Sequence, residues 1–311
     1  LNVINYNMKK LCCIFLLIIM ILYFLIYPQN ALMASRRGLT LWFEQILPTL
    51  LPFSVVSYII LHSNLFSQSA RTKNHNFLRI QPEEWYVIFC GFLFGFPIGS
   101  KLSADLYEHH RITRKRAQVL ACFTNNLSPV FVTSVLVNQL HFSSSVPFFL
   151  LLYGIPLCIC LVLLSSRKTE HFVHEKKASR FQLNMQIVDA GIINGFETLI
   201  KICGYIMMFS IFTEIVQSIP YRSPFPKLVL TGCLEVTNGI SVLSQFSCTH
   251  FHKILLTTLF LSLNGISGFF QTASLLSTSD LSMRQYLKMK LLLVSAIMAI
   301  ATIFLFLGIL V

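Results

Sequence analysis

Charged residues are scarce in this chain of 311 residues. Only 12% of the residues are charged, with 12 Asp and Glu against 24 Lys and Arg. A soluble domain cannot hold this composition, because its surface must be solvated by charged groups. Hydrophobic residues make up 55% of the chain, and its mean hydropathy is +0.69. The composition excludes a soluble globular protein and predicts an integral membrane protein.

The sequence also lacks the patterns that metal and redox sites require. It has nine cysteines but no Cys-x-x-Cys, so neither a zinc site nor a redox dithiol is predicted. Most of the cysteines lie in apolar segments, where cysteine behaves as a small hydrophobic residue. The histidines fall in short polar connections with few carboxylates. No metal, no cofactor and no enzymatic activity is predicted, since no clustered His/Asp or Ser/Lys set stands at one depth.

Long apolar runs divide the chain into membrane-spanning segments. Three uncharged runs of about 17 to 21 residues match the ~20 residues of a spanning helix: Leu11–Tyr27, Val146–Leu164 and Leu291–Val311. Clusters of Lys and Arg flank the apolar blocks. This is typical of cytoplasmic loops, and it explains the net charge of +12 better than nucleic-acid binding does. Cleavage after Ala34 would place the large Leu32 at position −3, so a retained first helix is predicted rather than a signal peptide.

Residues 85–100 are apolar yet lie between two basic connections, 67–84 and 101–116. A single crossing would place one of these connections outside the cell, against the expected distribution of positive charge. Three glycines and a proline interrupt the segment: Gly91, Gly95, Pro97 and Gly99. Such a segment is a poor continuous helix but a good hairpin of two half-length pieces. We therefore predict a re-entrant hairpin that enters and leaves from the cytoplasmic side.

The second half of the chain repeats this series with the opposite orientation. Each half reads as bent helix, re-entrant hairpin, broken helix and plain helix, with the second hairpin predicted at 226–246. Two weak sequence similarities between the halves support the pairing: Phe53-Ser54 with Phe209-Ser210, and Asn125–Phe131 with Asn264–Phe270. The predicted fold is a polytopic all-α membrane protein with two inverted repeats, as secondary transporters have. Its predicted parts are an N-terminal transmembrane helix at 1–30, a first repeat at 31–164, a basic cytoplasmic loop at 165–184 and a second repeat at 185–311.

The two broken helices hold the first candidate solute-binding side chains. A helix broken at membrane depth must border protein or a water-filled cavity, because lipid cannot bond the opened backbone. The candidates in the breaks are Asn125, Asn126, Ser128, Asn264 and Ser267. Interhelical hydrogen bonds at a packing seam of small residues are the alternative. Two breaks matched across an inverted repeat favour a binding site.

The hairpin tips hold the remaining candidates, which are Pro97, Ser100, Lys101, Glu235, Thr237 and Asn238. Helix N-termini at such tips direct free N–H groups at an anion. Lys101 is the predicted anion partner, with snorkelling to the membrane surface as the alternative. Glu235 is the preferred carboxylate, because a carboxylate in an apolar segment is costly and marks function. Its predicted role is to take up a coupling ion, H⁺ or Na⁺.

The motifs Gly95–Lys101, Asn125–Phe131 and Gly232–Gly239 resemble the nucleoside-recognition (Gate) membrane domain. The resemblance is closer still to the YlbJ-type sporulation integral membrane proteins, and it runs from about Ala31 to the C-terminus. It implies a hairpin-bearing fold related to concentrative nucleoside transporters. It also implies a place in the membranes around a developing endospore and an association with the movement of dipicolinic acid.

The expected function is therefore transport of a small polar, anionic solute across a bilayer. Dipicolinic acid is the solute that the family resemblance implies. Two alternatives stay open: a non-transporting scaffold or assembly factor with a Gate fold in spore formation, and a nucleoside-type permease. The expected partners are the solute, the lipid bilayer and a coupling ion, and the sequence does not predict an oligomeric state.

Overall fold

The structure is a computed structural model that describes residues 2–63, 80–142, 145–166, 184–277 and 279–309. Within these residues the chain is all-helical and contains no strand. The prediction of an all-α protein is thereby confirmed for the described part. The basic connections predicted at 67–84 and 165–184 lie largely outside the described residues.

Five helical segments of the described chain are long and apolar enough to cross a membrane. They are Pro28–His62, Val146–Ser165, Met185–Ser218, His250–Leu276 and Met283–Phe306. Two shorter apolar helices accompany them, Ile14–Ile26 and Pro129–Gln139. These spans agree with a multi-pass integral membrane protein.

The described residues form fifteen α-helices. In chain order they are α1 (Asn2–Ile26), α2 (Pro28–Leu41), α3 (Leu47–His62), α4 (Pro82–Phe94), α5 (Ile98–Glu108), α6 (Arg114–Phe123), α7 (Pro129–Thr133), α8 (Val146–Phe149), α9 (Ile155–Ser165), α10 (Met185–Ser218), α11 (Pro224–Leu234), α12 (Val236–Gln245), α13 (His250–Leu263), α14 (Gly265–Leu276) and α15 (Met283–Phe306). Single π-helical turns join α2 to α3 and α8 to α9, and another follows α7.

Prolines and polar caps set where these helices begin. A proline occupies the first turn, where a backbone N–H has no helical partner, at Pro28, Pro82, Pro129 and Pro224. Ser282 Oγ accepts a hydrogen bond from Gln285 N (3.3 Å) and so starts α15. The last helix therefore begins well before the predicted crossing at 291–311, and it includes the basic residues that were predicted to form a loop.

The long helix 28–62 packs antiparallel against α10 along a line of small residues. A Cβ atom added at Gly38 would lie 2.8 Å from Ser210 Oγ, and one at Gly195 would lie 3.5 Å from Ser54 Cβ. Glycines at these points let the two helices approach closely, as small residues do in membrane helix pairs. Trp42 Nε1 also donates to the Leu199 carbonyl at 2.8 Å and joins the two helices near the middle of this contact, which is called the long-helix seam.

Two helical hairpins lie beside this seam, α4–α5 and α11–α12, and the two limbs of each pack against one another. Each hairpin is followed by a helix that breaks. Residues 124–128 are unwound between α6 and α7, and Asn264 stands in the left-handed conformation (φ 63°) between α13 and α14. The described chain therefore repeats hairpin and broken helix in the same order in its two halves.

A buried ion pair fixes the base of the first hairpin. Arg116, at the start of α6, pairs with Glu84, at the start of α4, and their side chains are 2% and 0% exposed. Arg116 Nη2 lies 2.6 Å from Glu84 Oε2, and its Nη1 donates to the Leu164 carbonyl at 3.0 Å. Gln81 N donates to the same carboxylate at 2.7 Å. This pair joins α4, α6 and the end of α9.

Candidate functional site

The tip of the first hairpin rests on the first helix break. The backbone N–H of Phe96 donates to the Asn126 carbonyl, which the break has released from helical bonding. A Cβ atom at Gly99 would lie 2.5 Å from the Thr124 carbonyl oxygen, closer than real Cβ atoms come. Gly95 has φ +80°, a conformation that side chains rarely adopt. The glycines around Pro97 thus allow direct contact between the tip and the broken backbone.

The tip of the second hairpin rests on the second break in a similar way. Gly265 has φ +68°, and a Cβ atom there would lie 3.2 Å from the Glu235 Cα. The Glu235 carboxylate caps α12, accepting bonds from Thr237 N (3.0 Å) and Asn238 N (2.7 Å). Because the carboxylate satisfies N–H groups at the helix start, it favours this bent tip.

The two breaks meet each other in the interior of the bundle. Asn264 Nδ2 donates to the Asn125 carbonyl at 3.2 Å. Asn125 Nδ2 in turn lies 2.9 Å from both Thr272 Oγ1 and Tyr286 OH. The name junction is used here for the three buried side chains Asn125, Asn126 and Asn264. The junction brings together the broken helices of the two halves.

Two oxygens of the junction have no hydrogen-bond partner among the described residues, Asn125 Oδ1 and Asn264 Oδ1. A buried polar atom without a partner costs about 1–3 kcal/mol, so it is rare unless a function or a ligand requires it. A small cavity, lined also by Tyr153 and Ser262, reaches the junction at Asn126 and has room for about one water molecule. The junction is thus polar, incompletely satisfied and closed.

Lys290 also belongs to this site, although the sequence analysis did not identify it. It is 4% exposed, and its Nζ lies 3.4 Å from the Asn125 carbonyl and 3.3 Å from Asn126 Oδ1. In the sequence it stands in a basic cluster, which suggested a cytoplasmic loop. Helical spacing could have revealed it, because Lys290 continues the buried face of α15 through Tyr286 and Val294, whereas Lys288 is exposed.

The structure places most of the predicted site residues close to a break, but each bonds differently. Ser128 Oγ caps α7 by accepting from Phe131 N (3.2 Å). Ser267 Oγ accepts from Gln271 Nε2 (3.0 Å). Ser100 Oγ donates to the Ala121 carbonyl (3.3 Å). These three hydroxyls are used within the fold, whereas Asn125 and Asn264 of the junction keep unsatisfied oxygens. No group of His, Cys, Asp or Glu that could hold a metal occurs in the described residues.

Lys101 lies apart from the junction. Its Nζ donates to Ser54 Oγ at 2.9 Å and to Asn194 Oδ1 at 2.8 Å, so its partners belong to α3 and α10. The ammonium group therefore joins the first hairpin to the seam between the two long helices. The structure does not bring Lys101 and Glu235 into one cluster, and neither predicted role is tested by these contacts.

Comparison with known proteins identifies a curated relative. The chain is 26% identical over 308 residues to the sporulation integral membrane protein YlbJ of Bacillus subtilis (strain 168). The aligned region covers 86% of this chain and 75% of the relative. The resemblance to YlbJ-type proteins is confirmed. No family model and no solved structure matches the chain, so its likeness to the wider Gate domain stays a prediction.

Proposed function

We propose that the protein carries a small polar, anionic solute across a membrane of a sporulating cell and is not an enzyme. Its relative YlbJ is named as a sporulation integral membrane protein, which supports the cellular setting. Dipicolinic acid is the candidate solute, on the family resemblance in the motifs of the hairpins and breaks. The proposed path passes through the junction.

The observation that carries this proposal is the meeting of two broken helices at Asn125 and Asn264. Broken backbone inside a membrane protein is tolerated only where protein or a water-filled path surrounds it. A packing seam would explain the contact itself, but a seam gains nothing from buried oxygens that lack partners. A site that exchanges its partners for those of a solute does need such groups. We therefore favour a binding site over a packing seam.

The proposal includes an inverted repeat, for which the long-helix seam provides support. The sequence similarity that pairs Ser54 with Ser210 agrees with the contacts of these two serines, because a glycine of the other long helix approaches each of them. Gly195 approaches Ser54, and Gly38 approaches Ser210. A two-fold axis in the membrane plane would relate these two contacts. The same axis would relate the two hairpins, each entering the membrane from its own side. Alternating access would then follow from movement of one repeat against the other.

In this proposal the described conformation is a closed state. The cavity beside Asn126 has room for about one water molecule and cannot hold an aromatic acid. Solute binding must therefore move a hairpin tip away from a break. Glu235 is the proposed coupling group, because its carboxylate holds the second tip through Thr237 N and Asn238 N. Uptake of H⁺ or Na⁺ at this carboxylate would change the bonds that hold the tip.

Replacing the junction asparagines tests the proposal. We expect Asn126→Leu and Asn264→Leu to insert and purify like the wild type but to lose uptake of radiolabelled dipicolinate by proteoliposomes. The matched control is Asn138→Leu, which changes an exposed asparagine on the far side of the first break and should leave uptake unchanged. Normal uptake by both junction variants would show that the breaks are packing features and that the path lies elsewhere.

A further inference from the structure

Lys290 is a buried cation with no buried carboxylate beside it among the residues that the structure describes. Lys290 takes part in no ion pair among the described residues, unlike Arg37 with Glu214 and Arg116 with Glu84. Its recorded partners are the Asn125 carbonyl at 3.4 Å and Asn126 Oδ1 at 3.3 Å. Both distances exceed the 2.7–2.9 Å that is typical when an ammonium bonds a carboxylate. The ammonium group is therefore weakly held and has no counter-charge from the described protein.

Another deeply buried cation of the described chain is fully compensated. Arg116 is 2% exposed, and Glu84 engages it through both carboxylate oxygens. A buried charge without a partner is costly, and in membrane segments it marks a functional site by default. The contrast indicates that the missing counter-charge at Lys290 is supplied from outside the fold.

The surroundings of Lys290 define the kind of anion that fits. The described groups nearest to it are the Asn125 carbonyl, Asn126 Oδ1 and the Cys122 thiol, so the local charge is that of one ammonium group. One ammonium group, which carries three N–H donors, matches one carboxylate group. Asn126, which accepts from Lys290, also lines the small cavity, so displacing this bond would open the ammonium toward that space.

We propose that Lys290 binds a carboxylate group of the transported solute. The inference rests on the proposed transport function and assigns its charge recognition to Lys290 rather than to Lys101. On binding, the carboxylate replaces the weak contacts of Lys290 with the Asn125 and Asn126 oxygens. The empty site keeps those contacts to hold the ammonium in the closed state.

The test compares Lys290→Met with the matched control Lys288→Met, which removes an exposed lysine from the same helix. The probes are pyridine-2,6-dicarboxylate and its neutral diamide, added to the purified full-length protein in detergent. We expect Lys290→Met to weaken dicarboxylate binding by about 10- to 100-fold, the usual worth of a hydrogen bond to a charged group. Lys288→Met should bind like the wild type, and weak diamide binding should be equal in all three proteins.

Thermal stability without a probe separates this role from a structural one. If Lys290 is an uncompensated charge, the Met variant should melt at the wild-type temperature or above it, since removing a buried charge relieves its desolvation cost. A Met variant that melts earlier or cannot be purified in folded form would make Lys290 structural and overturn the proposal. Unchanged dicarboxylate affinity in a stable Met variant would also overturn it.

The outcomes also separate this inference from the transport proposal. If the wild type binds and moves the dicarboxylate while Lys290→Met binds it equally well, only the role of Lys290 is wrong. If the wild type neither binds nor moves the dicarboxylate, the transport proposal for this solute fails, and the carboxylate assignment fails with it. Lys290→Arg, which keeps the charge, should retain more of the binding than Lys290→Met does.

Discussion

We expect Glu84→Gln to destabilise the protein by about 3–5 kcal/mol, the cost of breaking a buried ion pair. The side chains of Glu84 and Arg116 are 0% and 2% exposed, so water cannot replace the lost carboxylate. The new amide would place either its NH₂ group or its single oxygen next to the guanidinium, so it could not accept the two hydrogen bonds that the carboxylate accepts. Arg116 would keep its bond to the Leu164 carbonyl but would lose its counter-charge. The base of the first hairpin would then separate from α6.

The assay is the midpoint of heat-induced loss of the monodisperse size-exclusion peak in mild detergent. The matched control is Glu214→Gln, which removes the carboxylate of the Arg37–Glu214 pair, whose side chains are 55% and 18% exposed. An exposed pair contributes about 0.2–1 kcal/mol, so the control should melt close to the wild type. A Glu84→Gln midpoint equal to that of the control would refute the reasoning.

The double variant Glu84→Leu with Arg116→Met refines the same prediction. It removes both charges and leaves mainly Gln81 N and the Leu164 carbonyl without their side-chain partners. Those two groups cost about 1–3 kcal/mol each, which is less than the sum of two separately broken charges. The double variant should therefore melt above the value expected if the two single losses were additive.

Two further predictions concern the first hairpin. Gly99→Ala should destabilise the fold by about 1–3 kcal/mol through the clash with the Thr124 carbonyl, whereas Gly204→Ala, where a Cβ meets nothing within 4 Å, should be neutral or stabilising by the same melting assay. Cysteines introduced at Ser69 and Glu108, in a background without native cysteines, should both react with a membrane-impermeant maleimide only from the cytoplasmic side. Labelling from opposite sides would show that the predictions of a re-entrant hairpin and of an inverted repeat are wrong.

The membrane character and the helix breaks were predictable because their signals are local. Hydropathy over about 20 residues marks a span wherever it lies in the fold. Pro129 has no backbone N–H, so it cannot form the hydrogen bond that would continue the preceding helix. Gly265 readily adopts the left-handed conformation that it shares with Asn264. The two breaks therefore occur in the structure at the positions that the sequence predicted.

The partners of individual side chains were not predictable in the same way. Lys101 and Lys290 both stand among basic or apolar neighbours in sequence, and only packing decides which one reaches the junction. Glu84 was not singled out, because its partner Arg116 lies 32 residues away and resembled one more residue of a cytoplasmic cluster. Contacts between distant helices depend on tertiary geometry, which a single sequence does not specify.

The last helix shows how charge patterning and periodicity can conflict. A cluster with Arg284, Lys288 and Lys290 resembles a loop by charge, yet Ser282 caps a helix that runs through it. Arg284 and Lys288 are exposed, whereas Lys290 is buried in the interior. Charge alone therefore placed the start of α15 too late and concealed the buried lysine.

Uptake of radiolabelled dipicolinate by proteoliposomes that contain the wild-type protein tests the central claim most directly. The account predicts accumulation above that of empty liposomes, driven by an imposed H⁺ or Na⁺ gradient and inhibited by excess unlabelled dicarboxylate but not by its diamide. Uridine tested in the same assay distinguishes a nucleoside-type permease. Absence of any uptake by folded, correctly inserted protein would contradict transport and would favour the non-transporting scaffold.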